Sequence, residues 1–203
     1  MMNKHLSVLF CLFLTFPTVG QEMNDGLYLS VADVQYNDPI PATYLINQLD
    51  IRDSDYLDQV VQLDSVFYYD REEMEAKVAS SALWGYCKNG ILYVHFDNQF
   101  ARVQVVGSIC HFTSIVEVVS YVSDPFDRMG RATPVVTQEI MENMIDLASG
   151  YVQRFTEDAF LNVLQRDGQL YREYIGFKPK KQRQKMYRYL TLYNERNPFK
   201  FED

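Results

Sequence analysis

The dipeptide Asn89-Gly90 constrains the fold of this 203-residue chain more than any other feature of its sequence. A type I′ turn needs positive φ at both central residues, and Asn-Gly is one of the pairs that adopt it most readily. A two-residue loop here pairs Lys88 with Ile91, so the residues on either side are predicted to form a β-hairpin. The stretch from 83 to 119 extends this hairpin into a predicted β-meander.

Two further turns, at Asp97-Asn98 and Gly107-Ser108, complete the meander. The first of these is predicted to be two residues long, because a three-residue loop would turn Arg102 and Gln104 into the apolar layer. Side chains then alternate between two faces. The predicted core face carries Leu83, Gly85, Cys87, Leu92, Val94, Phe96, Ala101, Val103, Val105, Cys110 and Phe112. The opposite face carries Trp84, Tyr86, Lys88, Ile91, Tyr93, His95, Phe100, Arg102, Gln104, Ile109 and His111.

The meander and the C-terminus also carry a family resemblance. Its segments are Trp84-Gly85-Tyr86-Cys87, residues 89–94, 100–103 and 107–112, and Asn194-Glu195-Arg196-Asn197-Pro198. They resemble the WGY–NG–LY–FxR–GxxCHF core and C-terminal NERxP helix of an uncharacterised family of secreted proteins from Gram-negative bacteria. The resemblance would span roughly residues 26 to 199. Its motifs imply a fold, and they imply no activity, cofactor or site residue.

The first twenty residues have the pattern of a secretory signal peptide. Lys4 and His5 precede an apolar run from Leu6 to Phe16, and cleavage is predicted before Gln21. Cys11 follows two large apolar residues, whereas a lipoprotein signal needs a small residue there, so lipidation is not expected. We therefore expect export to the periplasm or the extracellular side. No other stretch approaches the roughly 18 apolar residues of a membrane span.

The mature chain, 21–203, is predicted to be a single α+β domain, mainly β over 26–156 and helical over 157–197. Ser30 with Asp33 indicates a capped helical turn, and residues 66–69 read as a strand. Thr156 is a predicted helix cap, Asp167-Gly168 a break, and Pro179 the start of a last helix. The apolar stripe of that helix is Met186, Tyr189, Leu190 and Tyr193. We expect an antiparallel sheet of about six to eight strands, closed or partly wrapped, with the C-terminal helices packed on it.

Two segments between the meander and the helices are harder to assign. Ser123–Pro134 contains two prolines and a glycine and predicts a loop. Residues 137–147 are apolar at 140, 141, 144, 145 and 147, which fits a helix better than a strand. The resemblance instead implies a strand–turn–strand hairpin through 146–152, and we follow the resemblance.

Charge limits the classes of partner. The chain carries 19 basic and 27 acidic side chains, a net charge of −8, which does not suit nucleic acid. The last helix is an exception, because its first half has a run of basic residues without an acid. Within that run, Lys180, Lys181 and Lys185 are a candidate contact for anionic lipid or a partner. The favoured alternative is a helix docked on its own acidic body with the lysines in solvent.

The motifs of common catalytic sites are absent, and neither a metal nor a cofactor is predicted. His95 and His111, the histidines beyond the signal peptide, are predicted two strands apart and too distant to share a metal. Carboxylates are plentiful, but no spacing fixes a pair. Cys87 and Cys110 are predicted to be buried free thiols, because strand order places them three strand spacings apart.

Two classes of function remain from the sequence. The first is an exported, non-catalytic binding or structural module of the cell envelope, with an unknown protein or glycan as partner. Its candidate binding face is the aromatic side of the meander, Trp84, Tyr86, Tyr93 and His95. Alternatively, a second layer covers this face, most simply the last helix through Tyr189 and Tyr193. The second class is a hydrolase, for example one acting on glycans, whose acidic pair converges only in the fold.

Overall fold

The computed structural model describes residues 23–123 and 132–202. The predicted signal peptide and residues 124–131 of the predicted loop lie outside this range. The described strands are β1 Gly26–Tyr28, β2 Leu45–Ile46, β3 Ser65–Tyr69, β4 Glu75–Ala79, β5 Gly85–Lys88, β6 Ile91–Phe96, β7 Gln99–Val105, β8 Ile109–Ser123, β9 Ala132–Asp146 and β10 Tyr151–Arg154. The described helices are α1 Val31–Gln35, α2 Tyr56–Val60, α3 Glu157–Leu164, α4 Gly168–Ile175 and α5 Pro179–Arg196.

Seven strands form one antiparallel sheet in the order β1-β5-β6-β7-β8-β9-β10, which curls into a half-barrel. Strands β2, β3 and β4 form a second, smaller antiparallel sheet. The C-terminal helices α3, α4 and α5 pack on the large sheet. The predicted α+β class, with an antiparallel meander and C-terminal helices, is therefore confirmed.

The turn chemistry sets the meander register as predicted. Asn89 and Gly90 have φ of 53° and 70°, and Lys88 pairs with Ile91. Asp97 and Asn98 have φ of 51° and 59° and likewise form a two-residue turn. Asn, Asp and Gly tolerate this left-handed conformation better than other residues. Both predicted hairpins are thus confirmed.

Two details of the predicted alternation are wrong. A β-bulge between Val103 and Val105 shifts the register, so Val105 packs against the cluster under the C-terminal helices instead of joining the core face. Such a bulge places two residues opposite one and re-aims the side chains that follow. Leu83 and Trp84 are also exchanged: Leu83 is buried with Tyr86, whereas Trp84 packs against the cluster of Cys87. A 3₁₀ turn at Ser80–Ala82 leads the chain into β5, so strand alternation begins only at Gly85.

Both faces of the body of the large sheet are covered, whereas the outer ends of β8 and β9 are exposed. One face buries the cluster of Cys87, Leu92, Val94, Ala101, Val103, Cys110, Phe112 and Ile145. The other face has two covers, one at each end. Helix α2 and the small sheet cover Tyr86, and the helices α3, α4 and α5 cover Ile109 and Met144. The expected second layer is present, but α5 forms only part of it: Tyr189 and Tyr193 pack beside Ile109, whereas α2 and the small sheet cover Tyr86.

Residues 137–146 lie in β9, and Leu147 begins the turn at 147–150, as the resemblance implied. The loop predicted at Ser123–Pro134 is wrong at its described ends. Ser123 pairs with Ala132 and Tyr121 with Pro134 as the last rungs of a ladder between two strands of 15 residues each. Beyond the body of the sheet, β8 and β9 continue as a two-stranded ribbon.

The three C-terminal helices begin where the sequence predicted. Thr156 accepts a hydrogen bond from the backbone of Ala159, and Asp167 caps α4 through the amides of Gln169 and Leu170. The predicted stripe of α5 is buried as expected: Met186, Tyr189, Leu190 and Tyr193. Within the described residues, no helix combines the length and the apolar content that crossing a membrane requires.

Cys87 and Cys110 are free and buried, which confirms the predicted thiols. They belong to strands separated by two others, β6 and β7. Burial raises the pKa of each thiol to about 12. Both side chains are therefore neutral at ordinary pH, and a neutral thiol is a poor nucleophile.

Candidate functional site

An aromatic group spans β5, β6 and β7 on the side covered by the small sheet. Tyr86 and Tyr93 are directly opposite each other, and their rings stack with centroids 4.6 Å apart and planes 3° from parallel. Phe100 meets Tyr86 edge-on at 5.4 Å and His95 at 4.9 Å. Cross-strand aromatic pairs of this kind stabilise a sheet by roughly 0.2–1 kcal/mol each.

Tyr86 is a core residue and not a free platform. Its hydroxyl donates a 2.6 Å hydrogen bond to Asp58 of α2, and Lys88 forms ion pairs with Asp58 and Asp55. Burial raises the pKa of Tyr86, and the hydrogen bond to Asp58 raises it further. These polar contacts join α2 to β5 of the large sheet. The protein itself therefore covers most of the predicted aromatic face.

The four predicted face residues are therefore distributed over three environments. Tyr86 is buried and Tyr93 half-buried beneath the small sheet. His95 is half-buried at the rim of the group, beside Phe100. Trp84 is half-buried on the opposite side of the sheet and joins His95 only through a backbone hydrogen bond of 2.8 Å. The structure thus removes Trp84 from the predicted face.

A cleft of about 510 Å³ opens at this rim, between the β6–β7 turn and the cover. Binding clefts for small molecules are typically about 300–1,000 Å³. Its lining residues are Asp58, Val61, Gln62, Ser80, Ser81, Tyr86, His95, Asn98, Gln99 and Phe100. The lining combines the rings of His95 and Phe100 with amides, hydroxyls and one carboxylate, and it contains no lysine or arginine. Asp58 already accepts from Tyr86 and Lys88, and apart from Asp58 and His95 the polar side chains of the lining are amides and hydroxyls.

A larger cleft of about 860 Å³ lies between β1 and β3. Its acidic lining residues are Asp25, Asp33, Asp38, Asp70 and Glu73. Four of these carboxylates have structural partners. Asp25 accepts from the amides of the Asn89-Gly90 turn, and Asp33 completes the capping box of α1. Asp38 pairs with Arg71, and Asp70 accepts from two amides of its own turn. Asp25 and Asp70 therefore hold turns, Asp33 holds a helix cap, and Asp38 forms an exposed ion pair.

His111 is buried beneath α5 and lines neither of the two clefts. Its Nε2 lies 3.2 Å from the hydroxyl of Tyr187, which donates a 2.6 Å hydrogen bond to Glu142. Burial lowers the pKa of His111, an effect that nearby Glu142 partly opposes. No group of three or more His, Cys, Asp or Glu side chains in the described residues is arranged to hold a metal ion.

The three lysines of α5 are not equivalent. Lys180 and Lys181 are exposed, whereas Lys185 is half-buried with its Nζ 4.7 Å from the centroid of the Phe177 ring. Neighbouring Arg183 pairs with Glu157 at 3.1 Å. The start of the basic run is therefore exposed to solvent, whereas Arg183 and Lys185 contact other residues of the protein.

The cleft at the β6–β7 turn contains residues that sequence reasoning missed, among them Gln62, Ser81 and Asn98. They come from three separate segments. Asn98 belongs to the predicted Asp97-Asn98 turn, whereas Gln62 and Ser81 belong to no recognisable motif. Of the lining residues, Tyr86, His95 and Phe100 are placed on the aromatic side by the sequence pattern, and Tyr86 and His95 are its candidate binding residues. No family model, no curated protein and no solved structure matches the chain.

Proposed function

We propose that this protein is an exported, non-catalytic binding module of the bacterial cell envelope that holds a neutral glycan in the cleft at the β6–β7 turn. The observation that carries the proposal is the composition of the cleft. Half-buried Phe100 and His95 supply ring surface, and Gln62, Ser81 and Asn98 supply neutral polar groups. Export is supported by the signal-peptide pattern of residues 1–20.

This lining suits a sugar better than other small ligands. A pyranose presents an apolar C–H face that packs on aromatic rings, and hydroxyls that exchange hydrogen bonds with amide and hydroxyl side chains. A phosphate or a nucleotide would call for cationic side chains, and none lines the cleft. The described geometry therefore favours an uncharged, hydroxyl-rich ligand.

The alternative from the sequence is a hydrolase with two carboxyl groups about 5–10 Å apart. The cleft at the β6–β7 turn has one carboxylate, Asp58, and it is engaged by Tyr86 and Lys88. The larger, acid-lined cleft is where such a pair would have to form. Because Asp25, Asp33 and Asp70 accept hydrogen bonds from backbone amides, a binding function is the better supported of the two.

The variant Asn98→Gly tests the proposal, with soluble chitin fragments as probe, because these oligomers of N-acetylglucosamine carry no charge. Asn98 has φ of 59°, a conformation that glycine adopts without strain, so only the side chain is lost. We expect calorimetric titration to show binding by the wild type and at least tenfold weaker binding by the variant, about 1.4 kcal/mol.

Asn89→Gly is the matched control, because it makes the same change in the neighbouring turn, where φ is 53° and no cleft is lined. It should bind as the wild type does. The proposal fails if the wild type does not bind these fragments at millimolar concentration, or if both variants bind equally. Release of new reducing ends from the fragments would instead favour the hydrolase.

A further inference from the structure

The ribbon formed by β8 and β9 extends well past its neighbours. Strand β7 pairs with β8 only at His111 and Phe112, and β10 pairs with β9 only over residues 143–146. The ladder between β8 and β9 continues to Ser123 and Ala132. Eleven further rungs, from Thr113 with Glu142 to Ser123 with Ala132, at about 3.3 Å per residue make a ribbon roughly 36 Å long.

One face of this ribbon is exposed and mainly apolar, and the pair Glu117 and Gln138 interrupts it. Its apolar members alternate along both strands and are Ile115, Val119, Tyr121, Val136 and Ile140. Val119 is 53%, Tyr121 72% and Ile140 76% exposed. An isolated two-stranded ribbon is marginally stable in water, and exposed apolar patches on a monomer usually mark an interaction site. The ribbon therefore has the composition of an element that is completed by a partner.

Two hydrogen bonds show which backbone groups point away from the ribbon. The amide of Phe155 donates to the carbonyl of Glu142, on the side of β9 away from β8. The side chain of Gln99 donates to the carbonyl of Ile115, on the side of β8 away from β9. Since backbone direction repeats every two residues, even-numbered residues of β9 and odd-numbered residues of β8 present their amides and carbonyls outward.

This orientation makes the two edges unlike. On β9 the outward set includes Pro134, which has no N–H to donate, so this edge is blunted. On β8 the outward set includes Glu117, Val119 and Tyr121. No strand of the described chain pairs with them, and residues 114–123 contain no proline, lysine or arginine. Natural proteins usually protect such an edge with charge, proline or a cover.

We infer that the open edge of β8 pairs with the β8 edge of a second copy of this chain, antiparallel across a twofold axis at Val119. The strand order across the dimer is β9-β8-β8-β9, and the apolar faces of the two ribbons become continuous. An antiparallel strand edge is complementary to itself under a twofold axis, as a closed dimer requires. Val119 then faces the partner's Val119, and Glu117 faces the partner's Tyr121, so no two carboxylates are opposed.

Charge argues for a protein strand over a membrane as the occupant. The charged side chains on the described part of the ribbon beyond Glu142 are Glu117 and Glu139, both acidic. An acidic ribbon without a cation is repelled by anionic lipid. Pairing through the edge also satisfies the backbone groups of Val119 and Tyr121, which insertion of the apolar face into lipid would leave without partners.

The test is the mass of the native protein by sedimentation velocity at about 10 to 100 µM, a range that detects dimers of micromolar affinity. We expect a dimer for the wild type and a monomer for Val119→Pro, which removes one outward N–H and leaves the ladder to β9 intact. Val119→Thr keeps that N–H and should remain dimeric. A monomeric wild type, or a dimeric Val119→Pro, overturns the inference.

A cysteine cross-link tests the register without depending on proline. In the proposed dimer the two copies of residue 119 are directly opposite, about 5.5 Å apart at Cα, within the range for a disulfide. Val119→Cys should give a disulfide-linked dimer under mild oxidation. Val136→Cys, one strand further out, should not, since its two copies are separated by three strand spacings of about 4.8 Å. Equal cross-linking of both variants, or of neither, contradicts edge pairing.

Discussion

At the scale of single residues, His111 is the group whose surroundings predict the clearest solution behaviour. It is buried between Phe155 and Tyr187, and its Nδ1 has no hydrogen-bond partner. Burial disfavours the charged ring and lowers the pKa of His111 below its ordinary value of 6.5. The folded protein therefore holds a neutral imidazole at a pH where the unfolded chain begins to bind a proton.

The sign of the resulting pH dependence follows from linkage. Because the folded pKa is depressed, the unfolded state binds more protons below about pH 6.5, and stability falls as the pH falls. We expect the free energy of unfolding in urea to fall more steeply between pH 7.5 and 5.5 in the wild type than in His111→Phe. An equal drop in both proteins would show that His111 does not carry this dependence.

At the scale of elements, the end of α5 is fastened to the β7–β8 turn by Asn194. Its side chain accepts from the amide of Ile109 at 3.0 Å and donates to the carbonyl of Ile109 at 2.9 Å. A Cβ at Gly107 would collide with this side chain. Arg196 also pairs with Asp167 at 2.9 Å. The Asn and Arg of the C-terminal Asn194-Glu195-Arg196 segment therefore both have structural roles.

Asn194→Ala should destabilise the protein by about 2–3 kcal/mol, because it leaves two backbone groups of buried Ile109 without partners. Thr191→Ala is the matched control on the same helix. Its exposed hydroxyl bonds only to the carbonyl of Tyr187, so a change within about 0.5 kcal/mol is expected. Comparable losses in urea unfolding for both variants would contradict the fastening role of Asn194.

The same scale shows why some elements were predictable and others were not. The hairpins at Asn89-Gly90 and Asp97-Asn98 follow from local turn chemistry, which the sequence states directly. Strand β9 reads as a helix by periodicity because its inner end is buried on both faces. Met144 packs under α5 and Ile145 packs in the opposite cluster, so strict alternation is lost.

At the scale of the whole molecule, the sequence could not predict which elements cover which face of the large sheet. The aromatic pair Tyr86–Tyr93 was visible as a pattern, but its cover is the small sheet and α2, reached through non-local contacts such as Tyr86 to Asp58. The cleft at the β6–β7 turn arises where that cover ends. Its polar lining comes from residues 58–62, 80–81 and 95–100, which no local pattern joins.

The central claim is that this cleft binds a neutral glycan without transforming it. The most direct measurement is a titration of the isotope-labelled protein with the same uncharged chitin fragments, followed by amide chemical shifts and by the fragment spectra. We predict shifts concentrated at Gln62, Ser81 and residues 95–100, with the fragments unchanged. Shifts concentrated at the acid-lined cleft with cleavage of the fragments, or no shifts at millimolar fragment, would contradict the account.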